Sequence, residues 1–163
     1  MNGRQSGVIA FAGLTALLVV AIDQYTKVLA RDAIAGDSTI EIFGGFVEIV
    51  DVRNSGVAFG QLSGGGTLVA VVVALALGAL IWYFLSHLGT PLIWLATGLV
   101  VGGAVGNIID RIRSGAVTDF IKLPHWPAFN FADAAITVGV LALVVLVEVD
   151  ARRTRKLEES RAT

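Results

Sequence analysis

The chain has 163 residues, 55% of them hydrophobic and only 15% charged, with a net charge of −1 and no cysteine. So few charges, gathered in clusters between long uncharged runs, are the pattern of a protein that crosses a membrane several times, on a length that fits one domain. The near-zero net charge excludes a chain built around nucleic acid, and the missing cysteines exclude disulfides, thiolate metal sites and cysteine nucleophiles.

A spanning helix needs roughly 20 mostly apolar residues. The first run is uncharged over Gly7–Ile22 and continues in helical residues to about Ala30, which places Asp23 and Lys27 near its end. Arg4 before it resembles the basic start of a signal peptide. No small-residue cleavage site follows in "VVAIDQYTK", so a retained helix is expected. The connection over 31–66 holds "TIEIF" and "FVEIVDV", which alternate apolar with polar around Gly44-Gly45 and predict a hairpin. An isolated hairpin is marginal in water, so this one is expected against the bilayer surface or the helix ends. "SGGG" then forms a flexible joint. The second run is Thr67–Leu85. It is followed by "SHLGTP", a tight turn in which Gly89 ends one helix and Pro91 starts the next.

The third run, Pro91–Ile109, carries Gly98, Gly102 and Gly106 at four-residue spacing. Such a stripe lets a neighbouring helix approach closely or leaves room for a substrate chain. Gly98 reads as packing; for Gly102 and Gly106 both readings stand. The fourth run is Ala132–Val149, with Asp133 at one mouth and Glu148 at the other. The expected fold is an all-α membrane protein, one domain of four transmembrane helices (about 7–30, 67–85, 91–109 and 132–149) with a small extracytoplasmic β-hairpin or sheet element. Four spans put both termini on one side. Basic residues divide evenly between the two faces, and the dense "DARRTRK" after the last span favours cytoplasmic termini. The two long connections fall on the opposite face, where a functional site belongs.

The polar residues gather at that face. Asp23 and Lys27 close span one. Asn54 follows the hairpin. Asn107, Asp110 and Arg111 close span three, Asp119 follows, and Asn130 and Asp133 open span four. Ionisable groups at a membrane mouth are costly, so a functional reading is the default. Bland readings stand beside it. Asp23 and Lys27 are i,i+4 and suited to pair. Asp110 and Arg111 are expected to bind partners on other helices, with Asn107 as a bridging donor and acceptor. Asn130 suits a helix cap and Asp133 a first-turn acid. Asp119, in a locally apolar strip, has the weakest structural account.

The chemistry left is narrow. His87 and His125 fall on opposite faces, without a second ligand at metal spacing. A Ser–Lys pair from Ser55 or Ser63 with Lys27 has no support in the local sequence, and "SGGGTL" lacks the lysine of a phosphate loop. Two aspartates held close share one proton. The ionised one takes a proton from water, and the protonated one donates to a carbonyl oxygen and later to the leaving amine. Asp119 and Asp133 suit such a peptidase dyad, although their spacing does not show that they meet.

The chain resembles the lipoprotein signal peptidase, or signal peptidase II, family over nearly its whole length. "DQYTK" is similar to the family's first motif and gives Asp23 and Lys27. "NSGVAFG" gives Asn54 and Gly56, and "GGAVGNIIDRI" gives Asn107, Asp110 and Arg111. "VTDFI" carries Asp119, and "FNFADAA" carries Asn130, Ala132 and Asp133. The resemblance implies that Asp119 and Asp133 are catalytic and that the others hold the site and the substrate. It implies a diacylglyceryl-modified prolipoprotein as substrate, cut just before the lipidated cysteine, and no cofactor. It implies globomycin as inhibitor and a bacterial inner-membrane location with cytoplasmic termini; membrane lipid is the expected surroundings and a monomer the expected state. The segment with the hairpin resembles the family's substrate-cradling element. Where the family often has Ser after the final aspartate, this chain has Ala134.

Two other classes compete. A small proton-coupled transporter or channel would use Asp23, Asp110, Asp119 and Asp133 as a path, but needs acids deep in the spans rather than at one mouth. A non-catalytic assembly factor would tolerate Asn at positions 119 and 133.

Overall fold

The computed structural model describes residues 2–34, 39–55 and 65–162. Gly56 and the first half of the glycine joint, Ser63 and Gly64, lie outside them. Four helices and three strands follow in order: α1 (Gly3–Ala33), β1 (Ile40–Ile42), β2 (Val47–Asn54), α2 (Gly65–Ser86), α3 (Ile93–Ser114), β3 (Val117–Lys122) and α4 (Phe131–Ala162).

Helix α1 starts in a reciprocal cap. Asn2 Oδ1 accepts from the Gln5 N–H at 3.0 Å, and the Asn2 N–H donates to Gln5 Oε1 at 3.1 Å, so two otherwise unpaired helix-end donors are satisfied. Its 31 residues reach about 46 Å at 1.5 Å per residue, more than the roughly 30 Å of a hydrocarbon core. Among the described residues, three helices are long and apolar enough to cross a membrane: α1, α3, and α4 over Phe131–Arg155. Of α2, the stretch Ala74–Ser86 forms a shorter apolar helix among the residues whose side chains are described. Its crossing, and with it the fourth span, remains an expectation.

Helix α3 is the centre. Its apolar window is 56% buried, against 11% for α1 and 17% for α4. Its glycines explain why. A Cβ on Gly102 would come within 2.7 Å of the Ala16 carbonyl oxygen on α1, and one on Gly103 within 2.5 Å of the Ala132 carbonyl oxygen on α4. Gly98 meets Ala12 and Thr15 in the same way. The stripe is therefore filled by protein. The alternative, a substrate groove along Gly102, is corrected: α1 occupies that space. Because Gly98 faces Ala12 while Gly106 faces Asp23, α1 and α3 run parallel. Gly103 against Ala132 and Gly139 against Ala96 make α4 antiparallel to them. Both chain ends thus lie at the same end of the bundle.

The α2–α3 turn is less simple than its sequence. Leu92, after Pro91, takes a left-handed backbone (φ 60°) at the start of α3. At the other end Gly115 is left-handed (φ 73°) and its N–H closes on the Arg111 carbonyl at 3.0 Å. That ends α3 and turns the chain straight into β3.

The expected hairpin exists: Ile42 pairs with Val47 and Ile40 with Ile49, around positive-φ Phe43, Gly44 and Gly45. A third strand was not foreseen. β3 pairs antiparallel with β2, giving the order β1-β2-β3. The register slips between Ile49↔Ile121 and Val52↔Asp119, so β2 carries one extra residue there. Such a bulge re-aims the residues beyond it. Asn54 then lies two residues beyond Val52, on the face that Asp119 presents.

Candidate active site

Asp119 and Asp133 come from the two ends of the β3–α4 connection, and Asn130 joins them. Its Nδ2 donates to Asp119 Oδ1 at 2.7 Å, its N–H donates to Asp133 Oδ2 at 3.2 Å, and its Oδ1 accepts the Asp133 N–H at 3.0 Å. The last two bonds are the reciprocal cap of α4, so the Asn that starts the helix also fixes both carboxylates. The remaining oxygens are held as well. Asn54 Nδ2 donates to Asp119 Oδ2 at 2.9 Å, and Asn107 Nδ2 donates to Asp133 Oδ1 at 2.8 Å. Every oxygen of the pair accepts from an amide N–H, and none of these bonds comes from a cation.

Asp119 is 2% exposed. Burial pushes its carboxyl above the usual carboxylate range, and the charge of Asp133 adds to this. The Asn54 and Asn130 amides act against it, as does, more weakly, the charge of Lys27. Asp133 is half-buried in the first turn of α4, where the helix dipole favours an anion. Asp119 opens into a cleft of about 250 Å³ between Asn54 and Ser55 on one side and Pro127 and Ala128 on the other.

Beneath the pair lies a buried charged tier. Lys27, fully buried, donates to Asp23 Oδ2 at 2.8 Å, contacts Asp110 Oδ2 at 2.9 Å, and donates to Asn107 Oδ1 at 3.1 Å. Three donors meet three acceptors, as burial of an ammonium demands. Asn107 Oδ1 also accepts from Asn130 Nδ2 at 3.2 Å. With its oxygen committed to Lys27 and Asn130, the Asn107 amide can only turn its NH₂ toward Asp133.

The sequence singled out most of this constellation. Asp23 and Lys27 pair as their spacing predicts, and Asn107 bridges. Asp110 finds partners on α1 and β3. Ala132, fully buried, supplies a backbone N–H to Asp23 Oδ1 at 3.0 Å. Arg111 departs from expectation. It is exposed, and its guanidinium bonds the Asn107 carbonyl of its own helix at 3.3 Å rather than a partner on another helix. Three contributors went unread. Gln24 bonds both Asp23 and Asp110. Arg31 donates to the Thr118 hydroxyl at 3.3 Å, and Thr118 donates its N–H to Asp110 at 3.2 Å. An amide one residue from a helix-face aspartate was the available signal for Gln24; for Thr118 there was none without β3.

Residues 15–148 match the family model described as signal peptidase (SPase) II. The chain belongs to the signal peptidase II family. The lipoprotein signal peptidase of Symbiobacterium thermophilum is 44% identical, over 82% of this chain and 93% of that protein. That of Halothermothrix orenii is 35% identical, over 81% and 91%. A solved structure described as a bacterial membrane enzyme superposes with a TM-score of 0.77 at 33% identity, covering 85% of this chain and 93% of that one. As a signal peptidase II family member the chain is a protease and a membrane protein. These relatives lend no support to the transporter reading.

Proposed function

We propose that this chain removes the signal peptide from diacylglyceryl-modified bacterial prolipoproteins by aspartic-protease chemistry, cutting before the lipidated cysteine, with Asp119 and Asp133 as the catalytic pair. The observation that carries the reading is the single residue Asn130, bonded at once to both carboxylates. Two carboxylates on one small amide, without a cation of their own, hold one proton more readily than none. Burial of Asp119 favours its protonated form, which gives it the general-acid role and leaves Asp133 as the general base.

The ionised carboxylate takes a proton from a water in the cleft, and the water oxygen attacks the scissile carbonyl carbon. The protonated carboxyl gives its proton to the carbonyl oxygen, producing a neutral diol. Collapse breaks the C–N bond as the proton taken from water passes to the leaving nitrogen, while a diol hydroxyl returns its proton to the carboxylate that first donated one, restoring the shared-proton pair. The products are the signal peptide's new carboxyl end and the free amine of the lipidated cysteine. Asp23, Lys27, Asn54, Asn107, Asp110, Asn130 and Ala132 hold this geometry. Gly56 and Arg111 are proposed to serve the substrate side.

The setting follows from the same reading. Four spans, α2 among them, form one domain in the cytoplasmic membrane of a bacterium. Both termini are cytoplasmic, and the site lies at the extracytoplasmic surface, where a lipid-anchored cysteine is held. The protein acts as a monomer among lipids, needs no cofactor, and is inhibited by globomycin. The test is gel-shift cleavage of a diacylglyceryl prolipoprotein in detergent by wild type, Asp119→Asn, Asp133→Asn and the exposed control Asp32→Asn. Loss of at least about 10³-fold in both dyad variants, with the control active, is expected from loss of acid–base catalysis. Near-normal turnover in either dyad variant removes the mechanism.

A further inference from the structure

The residues preceding the two aspartates are each held by a different carboxylate of the buried tier. Thr118, just before Asp119, gives its N–H to Asp110 Oδ2 at 3.2 Å. Ala132, just before Asp133, gives its N–H to Asp23 Oδ1 at 3.0 Å. Thr118 and Ala132 are both fully buried, so neither backbone has solvent as an alternative partner. These two bonds link the strand bearing Asp119 to Asp110 and the helix bearing Asp133 to Asp23, beneath the direct bridge made by Asn130.

The gap between Asp110 and Asp23 is under tension. Two buried anions repel, and Lys27, at 2.8 Å from one and 2.9 Å from the other, draws them together. Gln24 is the second tie. Its Nε2 donates to Asp110 Oδ1 at 3.0 Å and to Asp23 Oδ2 at 3.2 Å, and lies 3.3 Å from the Gly106 carbonyl oxygen. Its Oε1 accepts from Arg113 at 3.4 Å. An NH₂ facing three acceptors and an oxygen facing a guanidinium leave the amide one orientation.

We propose that Gln24 is a positioning residue that sets the separation of Asp119 and Asp133 by tying Asp23 to Asp110, an inference that rests on the dyad reading above. Gln24 reaches neither the dyad nor the cleft directly; it acts through two carboxylates and two backbone N–H groups. Carboxylates that share a proton split their titrations more widely the closer they stand. Loss of the tie leaves Lys27 alone against the repulsion, the lower pair spreads, the dyad follows, and the split narrows. Among the described residues, the charged groups that touch the dyad's supports or line its cleft are Asp23, Lys27 and Arg31 from α1, Arg53 from β2 and Asp110 from α3, and all keep their identity in the test.

The test measures kcat and KM of full-length Gln24→Met against pH, with a diacylglyceryl prolipoprotein in detergent. A fall in kcat on the order of 10- to 100-fold is expected, as for a misplaced catalytic group, with KM within about twofold and a narrower pH bell. Wild-type kcat and bell width, or a lowered melting temperature alone, overturns the positioning role. Should Gln24→Met not fold, Gln24→Glu gives the same answer. A glutamate donates only when protonated, so its kcat relative to wild type must rise as pH falls, and a flat ratio overturns the proposal. Asp119→Asn and Asp133→Asn run alongside. If they are inactive while Gln24→Met keeps wild-type kcat, the tie falls and the dyad stands. If they turn over, both fall.

Discussion

The molecule holds two aspartate pairs, one above the other, and they differ in what lies between them. Between Asp23 and Asp110 is an ammonium, Lys27. Between Asp119 and Asp133 is an amide, Asn130. A cation offsets the charge of both neighbours and holds them in place. An amide donates to a carboxylate without cancelling its charge, so the upper pair keeps room for a proton. Similar acids, one tier apart, become a structural brace and a proposed acid–base pair according to the partner between them.

The largest effect that separates the tiers comes from removing the cation. Lys27→Met leaves two buried carboxylates without their counter-charge, which costs about 3–5 kcal/mol. We expect a melting temperature in detergent far below wild type; a loss under about 1 kcal/mol would mean that the lower pair is no brace. Next is the pH dependence of the upper pair. Asp119 is raised above the ordinary carboxylate value, chiefly by burial. Its contribution to stability is therefore present below the unfolded value near 3.9 and is lost as pH rises through the raised value. The melting temperature of Asp119→Asn minus that of wild type should shift in the variant's favour over that window, whatever its offset. A difference that stays flat contradicts the raised value.

How far the sequence displays this two-tier arrangement depends on the kind of contact. The i,i+4 spacing of Asp23 and Lys27 lies along one helix and is legible. So is the hairpin, through its alternation and paired glycines. The β2–β3 pairing is not: "VTDFI" is short, follows a helix by three residues, and its partner lies 65 positions away at Asn54. The clamps on Thr118 and Ala132 use backbone N–H groups, which every residue except proline carries, so no residue type announces them. The glycine stripe was legible as close approach, but not what approaches. Gly102 faces Ala16 and Val19 of α1, and only the fold distinguishes that from a groove.

Smaller effects sharpen the upper tier. Asn54 donates to Asp119 and favours its charged form. Asn54→Ala should raise the Asp119 value further and move the alkaline limb of the rate profile to higher pH. A shift to lower pH would reverse the proton assignment. The smallest effect belongs to a pair of the opposite kind. Lys122 and Glu48 stand 2.8 Å apart with the lysine side chain 49% exposed. Solvent screens such a pair, so Lys122→Gln should cost less than about 1 kcal/mol by thermal unfolding. A loss comparable to that of Lys27→Met would show that burial is not what distinguishes the two lysines.

Asp23 and Lys27 sit on the same helix, one turn apart, and that bears on how the protein is made. Helix α1 leaves the ribosome before its partners, with Lys27 80 residues ahead of Asn107 and Asp23 109 residues ahead of the N–H of Ala132. A lone lysine on an entering segment is costly to bury in lipid. Here the segment brings its own counter-charge 2.8 Å away, so it enters the bilayer as a nearly neutral rod. The pair waits there for α3 and α4, and the proposed catalytic pair is assembled only when α4 has arrived. A truncated or half-inserted chain therefore holds its charges safely but has no peptidase to unleash.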